Sequence, residues 1–285
     1  MYLFEKLETK LGEKISTSKN IGGGSIAGTQ KIVTDSGKKY FLKTGASNDL
    51  MFQCEANGLK ELEKTGAIRI PHVFDVDKDF LLIELIESGH PGTDFFEGFG
   101  RQFAELHRYI GDSFGFYEDN FIGHSRQINQ TTPAIKNNWV EFYLENRLLF
   151  QFHLAEKNGF ATPELIKSFK ALESKIERIL SGSENEPVLL HGDLWSGNFL
   201  ADHNNNPVII DPAVYYGNRE ADLAMTKLFG GFSPSFYSAY NETYPLKEGH
   251  EYRENIYKLY HVFNHLNLFG TGYYGQTLSL IQSYL

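Results

Sequence analysis

The sequence is short of cysteine: Cys54 is the only one in 285 residues, so no disulfide can close within the chain. That suits a reducing compartment. Long apolar runs are missing too, and none approaches the roughly 18 residues that a membrane-spanning helix needs. The opening residues, Met1-Tyr2-Leu3-Phe4-Glu5-Lys6, do not set a basic segment before an apolar one, so no secretory leader is expected. These absences predict a cytoplasmic protein with no membrane partner. There is no internal repeat and no low-complexity tract. Nor is there a basic excess. The formal net charge is −9, and it is unevenly spread: residues 1–84 hold 12 basic and 12 acidic side chains, and residues 85–285 hold 15 against 24. Such a surface disfavours non-specific nucleic-acid binding. It either attracts a cationic partner such as an amine or serves solubility alone.

What is present centres on His191-Gly192-Asp193-Leu194-Trp195-Ser196-Gly197-Asn198, a glycine-punctuated loop between the apolar runs Val188-Leu189-Leu190 and Phe199-Leu200. A third run, Val208-Ile209-Ile210, delivers Asp211, and Asn204-Asn205-Asn206-Pro207 reads as the turn before it. A carboxylate, an amide five residues on and a second carboxylate at a strand end suit phosphoryl transfer. One carboxylate accepts a proton from an attacking hydroxyl, and the amide oxygen and the other carboxylate hold Mg²⁺ on nucleotide phosphates. The spacing resembles the catalytic loop and metal-binding aspartate of protein-kinase-like folds.

Upstream features fall in the order such a fold requires. After a short N-terminal helix, strands over 15–20 and 29–33 flank Ile21-Gly22-Gly23-Gly24-Ser25-Ile26-Ala27-Gly28. Glycines between strands let main-chain N–H groups reach phosphate oxygens. Ala27 stands where a kinase glycine loop has its third glycine, and no Gly-Lys-Ser/Thr follows, so this is not a Walker A loop. Asp35-Ser36-Gly37-Lys38 reads as a turn, and the strand after it ends on Lys43, placed to contact nucleotide phosphates. In a helix over 48–65, Glu55 lies on or beside the stripe of Phe52, Leu59 and Leu62. A carboxylate there needs a partner, and Lys43 is the natural one. Strands follow near 72–76 and 80–86. The lobe boundary is expected after Ile86, at the breaker-rich Glu87-Ser88-Gly89-His90-Pro91-Gly92. Adenine would stack there and bond main-chain groups from Glu84 to Ile86.

The remainder reads as mostly helical. Asp94 and Glu97 have the spacing of an acidic capping box, and Phe95, Phe99, Phe103, Leu106 and Ile110 form the stripe of the helix behind it. His107 reads as a core histidine rather than a catalytic one. Further helices are expected near 138–158, 163–181, 217–229, 234–242 and 250–270, and at the C-terminus. The expected class is therefore α+β and bilobal: an N-terminal nucleotide-binding lobe over 1–86 built on a small β-sheet, and a larger, mainly helical catalytic and substrate-binding lobe over 87–285.

The sequence also resembles one family in detail. Residues 191–198 match the catalytic loop of fructosamine kinases at all eight positions, and the run from Ile210 to Met225, with Asp211-Pro212-Ala213-Val214-Tyr215-Tyr216-Gly217, is similar to that family's metal-binding segment. Gly22-Gly23-Gly24-Ser25-Ile26 and Phe41-Leu42-Lys43 resemble its N-terminal part. The resemblance implies a ketosamine-3-kinase: ATP-dependent phosphorylation of the 3-hydroxyl of a ribulosamine, erythrulosamine or fructosamine adduct, small or protein-bound, after which the unstable adduct releases its amine. It further implies that Asp193 is the base, Asn198 and Asp211 hold Mg²⁺, Lys43 fixed by Glu55 contacts the phosphates, and Gly23, Gly24 and Ser25 cover them. His191 and Asp222 would brace the loop, while Trp195 stacks on the sugar or packs. Some family members carry a cysteine in the glycine loop; Ser25 and its neighbours stand there, so a redox switch through that loop is not expected. Two alternatives remain at this stage: a kinase of the same fold acting on an aminoglycoside, choline or another amino-alcohol, and a nucleotide-binding pseudokinase.

Overall fold

The computed structural model describes residues 2–22 and 28–285; Gly23, Gly24 and Ser25 of the glycine segment lie outside the described residues. The chain begins with helix α1 (Tyr2–Leu11), then strands β1 (Ile15–Asn20), β2 (Gly28–Thr34) and β3 (Lys39–Thr44), helix α2 (Met51–Glu63), and strands β4 (Val73–Asp77) and β5 (Phe80–Glu84). The five strands form one antiparallel sheet in the order β1-β2-β3-β5-β4. Alternation decides its faces. Ile32, Tyr40, Leu42, Phe80 and Leu82 point to one side, where Leu7 of α1 covers them. Leu81 and Ile83 point to the other and join the large core through α2.

Beyond the sheet come α3 (Phe95–Leu106), a hairpin of β6 (Asn120–Ile122) and β7 (Ser125–Gln127), α4 (Trp139–Tyr143), a π-helical turn over Leu144–Leu149, α5 (Phe150–Lys157), α6 (Pro163–Glu173) and α7 (Ile176–Leu180). Strands β8 (Val188–Leu190), β9 (Phe199–Ala201), β10 (Pro207–Ile209) and β11 (Tyr215–Gly217) follow, then α8 (Arg219–Leu228), α9 (Pro234–Thr243), α10 (His250–Phe269), a 3₁₀ turn over Thr271–Tyr273 and α11 (Tyr274–Gln282). Several helix starts are written locally: Thr162 and Ser233 cap α6 and α9 with proline next in line, and Asn138 and Asn218 cap α4 and α8. β9 pairs with β10 and β11 with β8, so the loop after β8 and the residues after β10 are carried on two small, interleaved ladders.

The expected element order holds, with four departures. Helix α3 stops at Leu106, so Ile110, expected on its apolar stripe, lies outside it and is exposed. The β6–β7 hairpin and β11 lie in segments with little alternating apolar pattern. The helix expected over 163–181 is broken into α6 and α7. The capping box at Asp94 does not form: Asp94 makes no cap bond, because its carboxylate accepts from Asn205 Nδ2 at 2.8 Å. His107 is buried, as a core histidine should be.

Phenylalanine fills the interface of α3 with α9. Phe99 meets Phe236 at 5.2 Å between ring centres and Phe199 at the same distance. The two helices touch backbone to backbone at Gly100, where a Cβ would sit 2.2 Å from the Phe236 carbonyl oxygen. Gly100→Ala should therefore force the helices apart and lower unfolding stability by about 1–3 kcal/mol. Denaturant unfolding checks this; an unchanged midpoint would disprove the close approach.

Candidate active site

The loop 191–198 leaves β8 and enters β9, and two main-chain bonds stitch it to the segment that follows β10. Ala213 N donates to His191 O at 2.9 Å and Ile210 N to Asn198 O at 3.0 Å. Gly192 sits at φ +81°, with Ala213 O only 2.0 Å from where its Cβ would be. No other residue fits that position. Asp211 is also left-handed, at φ +54°. A non-glycine residue is held there only when its surroundings determine it. Gly197 lies beneath the Trp195 indole, which would clash with any Cβ at 2.4 Å.

Two side chains fix the loop from below. The buried Asp222, on α8, accepts from the main-chain N–H groups of His191 at 2.7 Å and Gly192 at 2.8 Å, and from His107 Nε2 at 3.3 Å. Burial opposes its charge, but these donors outweigh it and hold its pKa below the usual carboxylate value. His191 donates from Nε2 to Ile210 O at 2.9 Å and accepts at Nδ1 from Asp193 N–H at 3.3 Å. That pattern requires the neutral Nε2–H tautomer, in keeping with burial, which lowers its pKa. Asn198 donates from Nδ2 to Asp193 O at 2.7 Å and, weakly, to Asp193 Oδ2 at 3.4 Å. Its amide oxygen is thereby left as the acceptor end. The Asp193 carboxyl is pushed well up, by burial first and then by the negative charges of Asp211 and Asp222.

Opposite this loop, Lys43 on β3 donates to Glu55 Oε1 at 2.6 Å and to Asp211 Oδ1. Burial opposes the ammonium charge, but the two carboxylates outweigh it and raise the Lys43 pKa. Burial drives the Glu55 pKa up, with Lys43 pulling against it. Lys43, Glu55, Asp193, Trp195, Asn198 and Asp211 all line one cavity of about 640 Å³. Glu84 and Ile86 do not line it. The Glu84 carboxylate takes Arg69 at 2.6 Å, and Arg69 reaches on to Asp202 at 2.5 Å, tying the sheet to the β9–β10 hairpin.

The fructosamine kinase family model matches residues 3–285. The chain belongs to that family. It is 40% identical over 280 residues to the chloroplastic protein-ribulosamine 3-kinase of Oryza sativa subsp. indica, covering 95% of this chain and 80% of the relative. To the ketosamine-3-kinase of Mus musculus it is 33% identical over 310 residues, with 97% and 98% covered. A crystal structure from Thermobifida fusca, described as a fructosamine-3-kinase, superposes with a TM-score of 0.90 at 29% identity, covering 99% of this chain and 97% of that one. An aminoglycoside phosphotransferase bound to streptomycin and ATP superposes at 0.65 with 15% identity, covering 99% and 95%, so this chain shares its α+β kinase-like fold.

Other members of the site escaped the sequence reading. The β6–β7 hairpin supplies Phe121, Ile122 and Gly123 to the cavity, and the end of α10 supplies His265 and Phe269. The i, i+4 spacing of the latter pair is the one signal available in the sequence. The helix α2 that carries Glu55 is held by residues beyond the sheet: Asn57 Nδ2 donates to Glu118 at 2.8 Å and Tyr216 OH to Glu61 at 2.8 Å. Buried ion pairs Glu184–Arg219 and Glu220–Arg253 flank the start of α8.

Asp222→Asn replaces one acceptor by a donor facing a main-chain N–H. It should cost about 1–3 kcal/mol and, by displacing the loop, at least about tenfold in turnover; chemical unfolding and steady-state assay measure the two. A second prediction concerns His261 on α10, whose buried Nδ1 finds no hydrogen-bond partner among the described residues. Burial lowers its pKa from 6.5 to about 3. A depressed pKa gives stability that is complete above 6.5 and lost as pH falls toward 3. Between pH 7 and pH 5 the wild type should lose about 2 kcal/mol more than His261→Leu; parallel stability curves would refute this.

Proposed function

We propose that this protein transfers the γ-phosphate of ATP to the 3-hydroxyl of ketosamines: ribulosamine, erythrulosamine or fructosamine adducts of amines, small or protein-bound. The unstable product then frees the amine. Family membership supports the acceptor class, and one observation of geometry carries the chemistry. Asp193 and Asn198 share a braced loop that faces Lys43, Glu55 and Asp211 across a single cavity.

In this reading residues 1–86 bind the nucleotide, with adenine against main-chain groups between Glu84 and Ile86 and the N–H groups of Gly23, Gly24 and Ser25 over the phosphates. Residues 87–285 supply the catalytic loop and the acceptor site. Lys43, oriented by Glu55, contacts the phosphates. Asp193 orients the acceptor hydroxyl and takes its proton. With transfer through a loose transition state the proton moves late, so positioning outweighs basicity. Trp195, exposed in the cavity wall, packs on the sugar, and His191 and Asp222 hold the loop. Mg²⁺ fits the donor set: the Asp211 carboxylate and the free oxygen of Asn198 are hard oxygen ligands. Among the described residues no cluster of three or more His, Cys, Asp or Glu could hold a metal without help. Phosphate oxygens and water would complete the shell, where the ion supplies charge neutralisation. No helix among the described residues is long and apolar enough to cross a membrane. The single, buried Cys54 and an ATP donor suit the cytoplasm.

Of ribulose-lysine, erythrulose-lysine and fructose-lysine, assayed by coupled ADP release, at least one should yield a 3-phosphate. Asp193→Asn should lower turnover at least about 10²-fold with little change in ATP affinity. Inactivity of the wild type on every ketosamine, or near-normal turnover of the variant, would sink the proposal.

A further inference from the structure

From Trp195 a continuous series of rings runs along one wall of the cavity toward solvent. Trp195 meets Phe229 edge-on at 6.2 Å, Phe229 meets His265 at 4.9 Å, and His265 meets both Phe269 at 5.3 Å and Tyr273 at 5.1 Å. The fold builds this wall deliberately from the end of α10. His265 and Phe269 share a helix face, and Gly270 at φ +88° ends the helix so that the 3₁₀ turn brings Tyr273 back against His265. Large rings are left wet along it: Trp195 is 38% exposed, Phe229 40% and Phe269 62%. A run of adjoining exposed aromatics in a cavity is a feature that needs an occupant.

The charges lie elsewhere. Among the described residues lining the cavity, the carboxylates are Glu55, Asp193 and Asp211, and Lys43 engages two of the three. His265 Nδ1 donates to the His261 carbonyl at 2.8 Å, which leaves Nε2 as a bare acceptor. Burial lowers the His265 pKa, so this ring does not repel a cation. Aromatic faces and a neutral imidazole nitrogen are the chemistry that receives an organic ammonium.

We propose that Phe229, Phe269 and Tyr273, with His265, form the subsite for the substituted nitrogen of the acceptor, gripping the protonated amine and the alkyl or aryl group it carries. This rests on the ketosamine reading above. The nitrogen of a ketosamine is separated from the 3-hydroxyl by only the first three sugar carbons. With that hydroxyl at Asp193, the nitrogen falls beside Trp195, and its substituent leaves along the rings. The sugar end is set by the catalytic loop, and selectivity among glycated amines is set at Phe229 and Phe269.

The test compares 1-amino-1-deoxyfructose, whose nitrogen is unsubstituted, with its N-benzyl derivative and with fructose-lysine. In Phe269→Ala the kcat/KM ratio of the N-benzyl over the unsubstituted substrate should fall about tenfold, carried by KM. Phe269→Leu, which keeps bulk and loses the ring, should recover only part of it. An unchanged ratio, or an equal loss on both substrates, overturns the subsite. Calorimetric titration with benzylammonium judges it independently of turnover. Weaker binding to Phe269→Ala than to the wild type supports the subsite even if no ketosamine is phosphorylated, a result that would remove the proposed function alone; equal binding overturns it.

Discussion

One ammonium group joins the two halves of this molecule. Lys43 reaches from the central strand of the sheet to Glu55 on α2 and to Asp211 beyond β10, so one buried cation is held between two carboxylates from different parts of the fold. Such a triad is poor material for stability, since desolvating three charges offsets most of what their attraction returns. Its value lies in position. Glu55 can pair with Lys43 only if α2 lies flat against the sheet, and α2 is clamped there by Glu118 and Tyr216 from the helical half of the chain. The same constraint sets the distance between the sheet and the loop that carries Asp193.

The opposite wall depends on backbone chemistry. Asp193 on this loop and Asp211 on the segment after β10 bring two carboxylates to one cavity, and their repulsion would splay the loop unless its main chain were anchored. Asp222 supplies the anchor by accepting two consecutive N–H groups, which is what a carboxylate does at low cost inside a protein. Position 192 then has to be glycine, since any Cβ would strike Ala213 O, and His191 has to be neutral to accept from Asp193 N–H while donating to Ile210. The charge on Asp222 and the neutrality of His191 are two sides of one arrangement.

Much of this was legible in the sequence because it is local. The strand ending on Lys43 and the helix with Glu55 at the edge of its apolar stripe each announce themselves by period, and their partnership follows from the need to satisfy a half-buried carboxylate. Residues 191–198 and Asp211 are legible because glycines and short apolar runs leave them no other place than a loop and a strand end. The unread parts are those decided by distant chain. Asp94 has the right neighbours for a helix cap, yet Asn205 from the β9–β10 turn takes its carboxylate. The hairpin at 120–127 has ladders of three residues, too short for alternation to register, and it is fixed instead by Asn120 donating to Val214 O and Gln127 to Ala213 O. Phe229 and Phe269 are indistinguishable in sequence from the many phenylalanines of the core, and only exposure separates them; the spacing of His265 to Phe269 is the one signal the sequence offers for this wall.

That separation also changes what the acidic composition means. A surplus of carboxylates in residues 85–285 invites the idea of an electrostatic pocket for an amine. In the folded chain several of those carboxylates are spent elsewhere: Glu184 and Glu220 in buried pairs with arginine, Asp119 on the main chain of Asn129 and Gln130, Asp202 on Arg69 and its own turn. Among the described carboxylates that line the cavity, Asp193 is the one that Lys43 does not engage, and its proposed work as the base requires that it stay available. A carboxylate set against the amine would compete with it for the same protonated nitrogen and draw the substrate out of register with the phosphoryl group. The rings of Phe229, Phe269 and Tyr273 attract a cation without setting a competing negative charge beside it, and they pack as well on the carbon chain that follows. Where one acid must remain available beside a cationic substrate, an aromatic wall meets both demands at once.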